Sequence, residues 1–200
     1  MKAAVVDYDL GNLPSVTKAL ERIGVDAPII DGPDGFTDDL DAVVLPGVGH
    51  FGAGAHNLAD RKLDGPLKAW ASGGRPLLGI CVGLQLFFER SEEDPDARGL
   101  GIVDGDVKLL KAPKVPHMGW NTLETTGGTV AAGVGPEDLV YFVHSYYVDP
   151  DPSAVSATTT YGQRFCSVVE QDNIVGVQFH PEKSADVGRC VLERFFQRLR

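Results

Sequence analysis

Cysteine is scarce in this chain. Cys81, Cys166 and Cys190 are scattered through 200 positions, too few for a disulfide framework, and an odd count suits a reducing compartment. Long apolar runs are missing too: none approaches the roughly 18 residues that a membrane span requires. The opening Met1-Lys2-Ala3-Ala4-Val5-Val6-Asp7 meets an acid too soon for a secretory signal. The expected location is therefore the cytoplasm. Positive charge is short as well. Eighteen Lys and Arg face 28 Asp and Glu, a net charge of −10, which argues against a nucleic-acid or anionic-membrane partner. No Gly-x-Gly-x-x-Gly follows the first apolar stretch, no Walker pattern occurs, and no Cys/His set has zinc spacing, so nucleotide and metal sites are not expected.

What is present is ordinary globular material, 43% hydrophobic and 23% charged, enough for one domain over residues 1–200. Short apolar stretches at Lys2–Asp7, Ala27–Ile30, Asp41–Leu45 and Pro76–Ile80 alternate with helical ones. The helices are expected from Pro14 to Ile23, Gly52 to Arg61 and Pro66 to Ala71, and from the turn at Cys81 to Glu89. Alternation of this kind implies βαβ units and a parallel sheet covered on both faces. After a charged connector the text becomes rich in Thr, Val, Tyr and Gly. Strands are expected at 101–103, 107–110, 141–147 and 154–160, with a hairpin joining 165–170 to 174–179. Val187, Val191, Phe195 and Leu199 recur at four-residue spacing, which predicts a terminal amphipathic helix. The expectation is one α/β domain with an antiparallel extension in its second half.

Chemistry concentrates at Gly79-Ile80-Cys81-Val82-Gly83-Leu84-Gln85. An apolar strand that passes into a helix through one residue holds that residue in a strained turn at the carboxyl edge of the sheet. Flanking glycines remove side chains that would collide there. This is the nucleophile-elbow pattern with Cys in place of Ser, its sulfur near a helix N-terminus. On the elbow alone, the alternative is an inert cysteine packed between two glycines. A thiol nucleophile needs a base, and His180 ends the apolar stretch 175–179, with Glu182 two residues on to orient it. Oxyanion donors are expected from the backbone of Pro46-Gly47-Val48-Gly49, which follows another buried stretch.

Together, Gly79–Gln85, Pro46–Gly49 and Gln178-Phe179-His180-Pro181-Glu182 resemble the class I, triad-type glutamine amidotransferases, in the family's order and across most of the chain. Asp7-Tyr8 with Gly11-Asn12, Pro116–Asn121 and Phe142–Tyr147 bring the resemblance nearest to the glutaminase subunits of imidazole glycerol phosphate synthase. A sibling glutaminase serving another ammonia-channelling synthase is the alternative. The resemblance implies a flavodoxin-like, mostly parallel sheet and hydrolysis of the glutamine amide by Cys81, His180 and Glu182. It implies oxyanion donors at Gly47, Val48 and Gly49, and glutamine contacts at Gln85, Glu93, Ser145 and Tyr146. It further implies a partner-facing surface at Pro116, His117, Met118, Gly119, Trp120, Asn121 and Lys183. That partner would be a (β/α)₈-barrel cyclase forming a heterodimer, and no cofactor is implied. Asp9 and His50 depart from the family pattern, where a small residue and alanine are expected.

Overall fold

The computed structural model describes residues 1–199. In chain order its strands are β1 (Ala3–Val6), β2 (Ile29–Ile30), β3 (Ala42–Leu45), β4 (Leu77–Ile80), β5 (Arg90–Ser91), β6 (Gly105–Leu109) and β7 (His117–Thr122). They continue with β8 (Glu124–Thr125), β9 (Leu139–His144), β10 (Tyr146–Pro150), β11 (Val155–Tyr161), β12 (Gln163–Gln171) and β13 (Ile174–Val177). The α-helices are α1 (Leu13–Arg22), α2 (Phe51–Asp60), α3 (Asp64–Ser72), α4 (Val82–Gln85) and α5 (Ala185–Gln197).

Eight strands form the main sheet in the order β2-β1-β3-β4-β13-β12-β11-β8. The first five are parallel and the rest join antiparallel. Strands β1, β3, β4 and β13 are buried at every residue, as strands covered on both faces must be. The hinge between the two halves is β13. It forms a hairpin with β12, in which Gln171 pairs with Ile174, yet runs parallel to β4, with Val177 opposite Ile80. The chain thereby returns from the second half of the sequence to deliver its end beside the end of β4.

Three expectations fail. No strand forms at 101–103. Instead, Leu100 N–H donates to Leu86 O at 2.7 Å and Ile102 N–H to Phe87 O at 2.8 Å, which stitches an irregular segment to the chain after α4. The helix expected to reach Glu89 ends at Gln85. Leu84, Leu86, Phe87 and Phe88 are all fully buried, so this stretch has no polar face to turn outward, and it tightens through Phe87 N–H to Leu84 O and Phe88 N–H to Gln85 O bonds. The expected strand 141–147 is also split. Ser145 separates β9, which pairs with β7, from β10, which pairs with β6 in a different sheet. No helix among the described residues is long and apolar enough to cross a membrane.

Candidate active site

Cys81 lies between the end of β4 and the start of α4 with φ 55° and ψ −110°. A β-carbon makes this conformation costly, on the order of 1–3 kcal/mol, and it persists only where the surroundings enforce it. They do so here from both sides. Cys81 N–H donates to Val177 O at 2.8 Å, which fixes the turn to β13. Gly83 packs so closely on Leu45 O that an added Cβ would overlap it. A Cβ on Gly79 would stand only 2.7 Å from the nearest carbon of the Phe87 ring.

His180 follows β13 by three residues. Its N–H donates to Tyr141 O at 2.9 Å, and its carbonyl accepts from Ser184 Oγ at 2.6 Å. Nδ1 sits 2.8 Å from Glu182 Oε1, and both side chains are almost fully buried. His180 Nε2 has no hydrogen-bond partner among the described residues, and Cys81 is near enough to act on the ring. Burial pulls the imidazole pKa down, but Cys81 and then Glu182 outweigh it and raise it to about 9. A histidine beside a cysteine is the pairing in which the imidazole takes the sulfur's proton and leaves a thiolate to attack.

A cavity of about 250 Å³ opens over the sulfur, lined by Val48, Gly49, Gln85, Glu93, Ser145 and Tyr146 together with Cys81, Pro116, Val143 and His144. It lies below the ~300–1,000 Å³ typical of drug-sized ligands and suits something as small as an amino acid. Glu93 reaches it from the connector after β5, its Oε2 accepting from Phe51 N–H at the start of α2 at 2.7 Å. Gln85 donates from Nε2 to Tyr146 O at 2.9 Å. Burial and the nearby Glu93 raise the Tyr146 phenol pKa.

Gly47 does not line the cavity but is buried behind it. A Cβ there would strike Tyr8 Oη, and would stand 2.7 Å from Gly83 N, so the 46–49 turn and the elbow can approach only as glycines. The backbone of the turn is held by Tyr8, whose hydroxyl donates to Pro46 O at 2.7 Å. Gln178 is a second contributor that the sequence pattern does not single out: its Nε2 donates toward Cys81 Sγ at 3.7 Å. These roles depend on contacts 38 and 97 residues apart, which no local pattern reports.

Met118 (62% exposed) and Trp120 (53%) project from β7, while His117 between the sheets is buried. His117 therefore does not stand on the outer surface expected for it, because alternate residues of a strand face opposite ways. Trp120 packs edge-on against Tyr141, with ring centroids 5.7 Å apart, and Lys183 Nζ lies 5.8 Å from the Tyr141 ring centre. Pro116, Gly119 and Asn121 are partly exposed on the same segment. The two departures from the family pattern have local causes. His50 caps α2 through Nδ1, which accepts from Gly52 N–H at 3.1 Å. Asp9 adopts φ 66° and is paired with Arg61 at 2.6 Å.

Among the described residues no group of three or more His, Cys, Asp or Glu could hold a metal ion. The family model for glutamine amidotransferase class-I matches residues 4–199. The chain belongs to the class-I glutamine amidotransferases. Among its relatives is imidazole glycerol phosphate synthase subunit HisH of Carboxydothermus hydrogenoformans, 47% identical over 98% of both chains. The HisH subunit of Bacillus subtilis is 46% identical over 96% of this chain and 93% of its own. A solved structure of PurLQS from Thermotoga maritima shares the fold at a TM-score of 0.77, with 20% identity over 100% of this chain and 99% of that one.

Proposed function

We propose that this class-I amidotransferase performs its glutamine hydrolysis with Cys81 as nucleophile, His180 as acid and base, and Glu182 as the orienter of His180. The chain is the glutamine-hydrolysing subunit of an imidazole glycerol phosphate synthase, acting in histidine biosynthesis. The observation that carries the residue assignment is the strained Cys81 lining the cavity beside the buried His180–Glu182 pair, whose Nε2 is unpartnered among the described residues and whose imidazole Cys81 perturbs.

Glutamine enters with its side-chain amide over the sulfur, held by Gln85, Glu93, Ser145 and Tyr146. His180 holds the sulfur's proton, the thiolate attacks Cδ, and the carbonyl π electrons move to oxygen. Backbone N–H groups of the Gly47–Gly49 turn and of the residue after Cys81 receive that oxyanion. His180 gives its proton to the amide nitrogen, the C–N bond breaks, and ammonia leaves a γ-glutamyl thioester. Water then attacks the thioester with His180 as base, which yields glutamate and regenerates the thiol.

Ammonia is a substrate for the rest of the synthase, so the subunit must dock where ammonia can leave without loss. Met118 and Trp120 are exposed beside the half-buried Tyr141, with Lys183 at its ring, and aromatic and Met side chains are enriched in protein interfaces. The subunit's partner is a (β/α)₈-barrel cyclase subunit in a heterodimer, which converts the ammonia and an aminoimidazole-bearing nucleotide to imidazole glycerol phosphate and aminoimidazole carboxamide ribonucleotide. Three free cysteines suit work in the reducing cytoplasm. The nucleophile is tested by a glutamine-mimicking alkylator followed by peptide mass spectrometry. Cys81 is expected to be modified before Cys166 or Cys190; preferential labelling of either of those would overturn the assignment.

A further inference from the structure

A run of hydrogen bonds leaves the cavity in a direction that the reaction does not use. His144 Nδ1 lies 2.8 Å from Tyr146 O, His117 Nδ1 lies 3.1 Å from His144 Nε2, and Asn121 Nδ2 lies 3.3 Å from His117 Nε2. A carbonyl oxygen only accepts, so His144 carries its proton on Nδ1. The Nε2 of a neutral His144 must then accept, which places the His117 proton on Nδ1 also. His117 Nε2 accepts in turn from the Asn121 amide, whose Oδ1 accepts from Thr122 N–H at 2.9 Å. The opposite tautomers would set the lone pair of His144 Nδ1 against the Tyr146 carbonyl. The chain of bonds therefore has one direction, from Asn121 through His117 and His144 to Tyr146 O.

Both rings are buried among aromatics. Tyr161 and Phe142 stack on His117 at centroid distances of 4.1 and 4.7 Å, and Phe165 meets His144 at 5.1 Å. Burial lowers the pKa of His117 to about 4 and that of His144 to about 3, so both are neutral where the enzyme works.

Tyr146 O also accepts from Gln85, which donates to Gln178 Oε1 at 3.4 Å; Gln178 donates in turn toward Cys81. The Tyr146 carbonyl is thus the shared acceptor of two donors, an amide and an imidazole, from opposite sides. It belongs to the bend at Ser145, where the chain crosses from the β7–β9 sheet to the β6–β10 sheet. The bend is also pinned by Leu110 N–H, which donates to Ser145 O at 2.9 Å, but without the imidazole bond Gln85 would be the only side chain left on the Tyr146 carbonyl.

We propose that His144 and His117 are positioning residues: a tautomer-locked pair that fixes the Ser145–Tyr146 bend for glutamine binding and ties it to the exposed strand β7. This rests on the assignment of Ser145 and Tyr146 to the glutamine pocket. The pair acts on ground-state binding more than on the chemical step, because it touches neither the sulfur nor the scissile amide.

Two measurements test it. In ¹⁵N-labelled subunit, both rings are expected to show a protonated-type Nδ1 and an unprotonated-type Nε2; a protonated Nε2 on either neutral ring overturns the proposal. In the assembled synthase, His144→Phe is expected to raise KM for glutamine about tenfold or more, with kcat at saturation within about threefold and the ammonia-driven reaction unchanged. His144→Asn, which returns an N–H near the Nδ1 position, is expected to recover most of that KM. An unchanged KM in folded His144→Phe, or no recovery in His144→Asn, would overturn the positioning role. If His144→Phe does not fold, wild-type tautomers and the KM of His117→Phe decide by the same criteria. Ser145→Ala run alongside separates the two failures: if its KM is also unchanged, the pocket assignment falls, and if its KM rises while that of His144→Phe does not, only the histidine pair does.

Discussion

The Tyr8 hydroxyl donates to the Pro46 carbonyl at 2.7 Å, in a fully buried position behind the oxyanion turn. Burial, and then the neighbouring Cys81, push the phenol pKa upward, so the proton stays in place across the working range. The main chain of Tyr8 is itself held, its carbonyl accepting from Asn57 Nδ2 at 2.9 Å. Tyr8→Phe keeps the ring and leaves Pro46 O without its donor, at a cost of about 1–3 kcal/mol. On the proposed assignment the turn serves an oxyanion that exists only in the transition state, so kcat for glutamine is expected to fall roughly tenfold with KM little changed. Steady-state kinetics of the folded variant in the complex check this.

Gly83→Ala should be far more damaging than its size suggests. The added methyl would overlap Leu45 O, a backbone atom of a buried strand that cannot move aside. Overpacking of this kind costs about 1–3 kcal/mol, and the rigid acceptor places it at the upper end or above. Chemical denaturation should show that loss with the m-value unchanged.

Local patterns made the elbow legible. Gly79, Cys81 and Gly83 are neighbours in sequence, and their spacing states the turn. His180 could be placed because β13 ends beside β4. The parallel half of the sheet followed from its unbroken apolar strands. What the pattern left out depends on distant contacts. Nothing near Tyr8 points to Pro46, and nothing near His144 points to His117, although their strands pair residue against residue. The short α4 escaped for a related reason. A stretch apolar on every side reads as helix by propensity, but it is bent by what it packs against.

The His180 pKa, raised to about 9, gives a sign that can be tested. An unfolded histidine titrates near 6.5. The folded state therefore holds its proton more tightly, and the resulting stabilisation is complete below about 6.5 and lost as pH rises through about 9. Ammonia departure needs the same proton, so kcat/KM for glutamine should fall tenfold per pH unit above about 9. A profile that stays flat to pH 10 would contradict the role of His180 as acid.

Glycines flank Val48 in the oxyanion turn, and Gly49 sits at φ 97°, so the peptide planes of the turn can rotate at little cost. The isolated subunit should release glutamate slowly and accelerate when the partner and its nucleotide are bound. The expected gap is about 10²–10³, the cost of one missing oxyanion donor. Val48→Pro, which removes an N–H from the turn, should lower the activated rate by a similar factor in an intact complex. Equal rates for the subunit alone, with partner and with partner plus nucleotide would contradict gating at this turn.

The most direct measurement compares two nitrogen sources in the assembled synthase carrying Cys81→Ala. If Cys81 releases ammonia and takes no part in the later ring closure, synthesis from glutamine should vanish while synthesis from added ammonium salt continues at the wild-type rate. Retained synthesis from glutamine, or loss of both activities in an intact complex, would contradict the assignment.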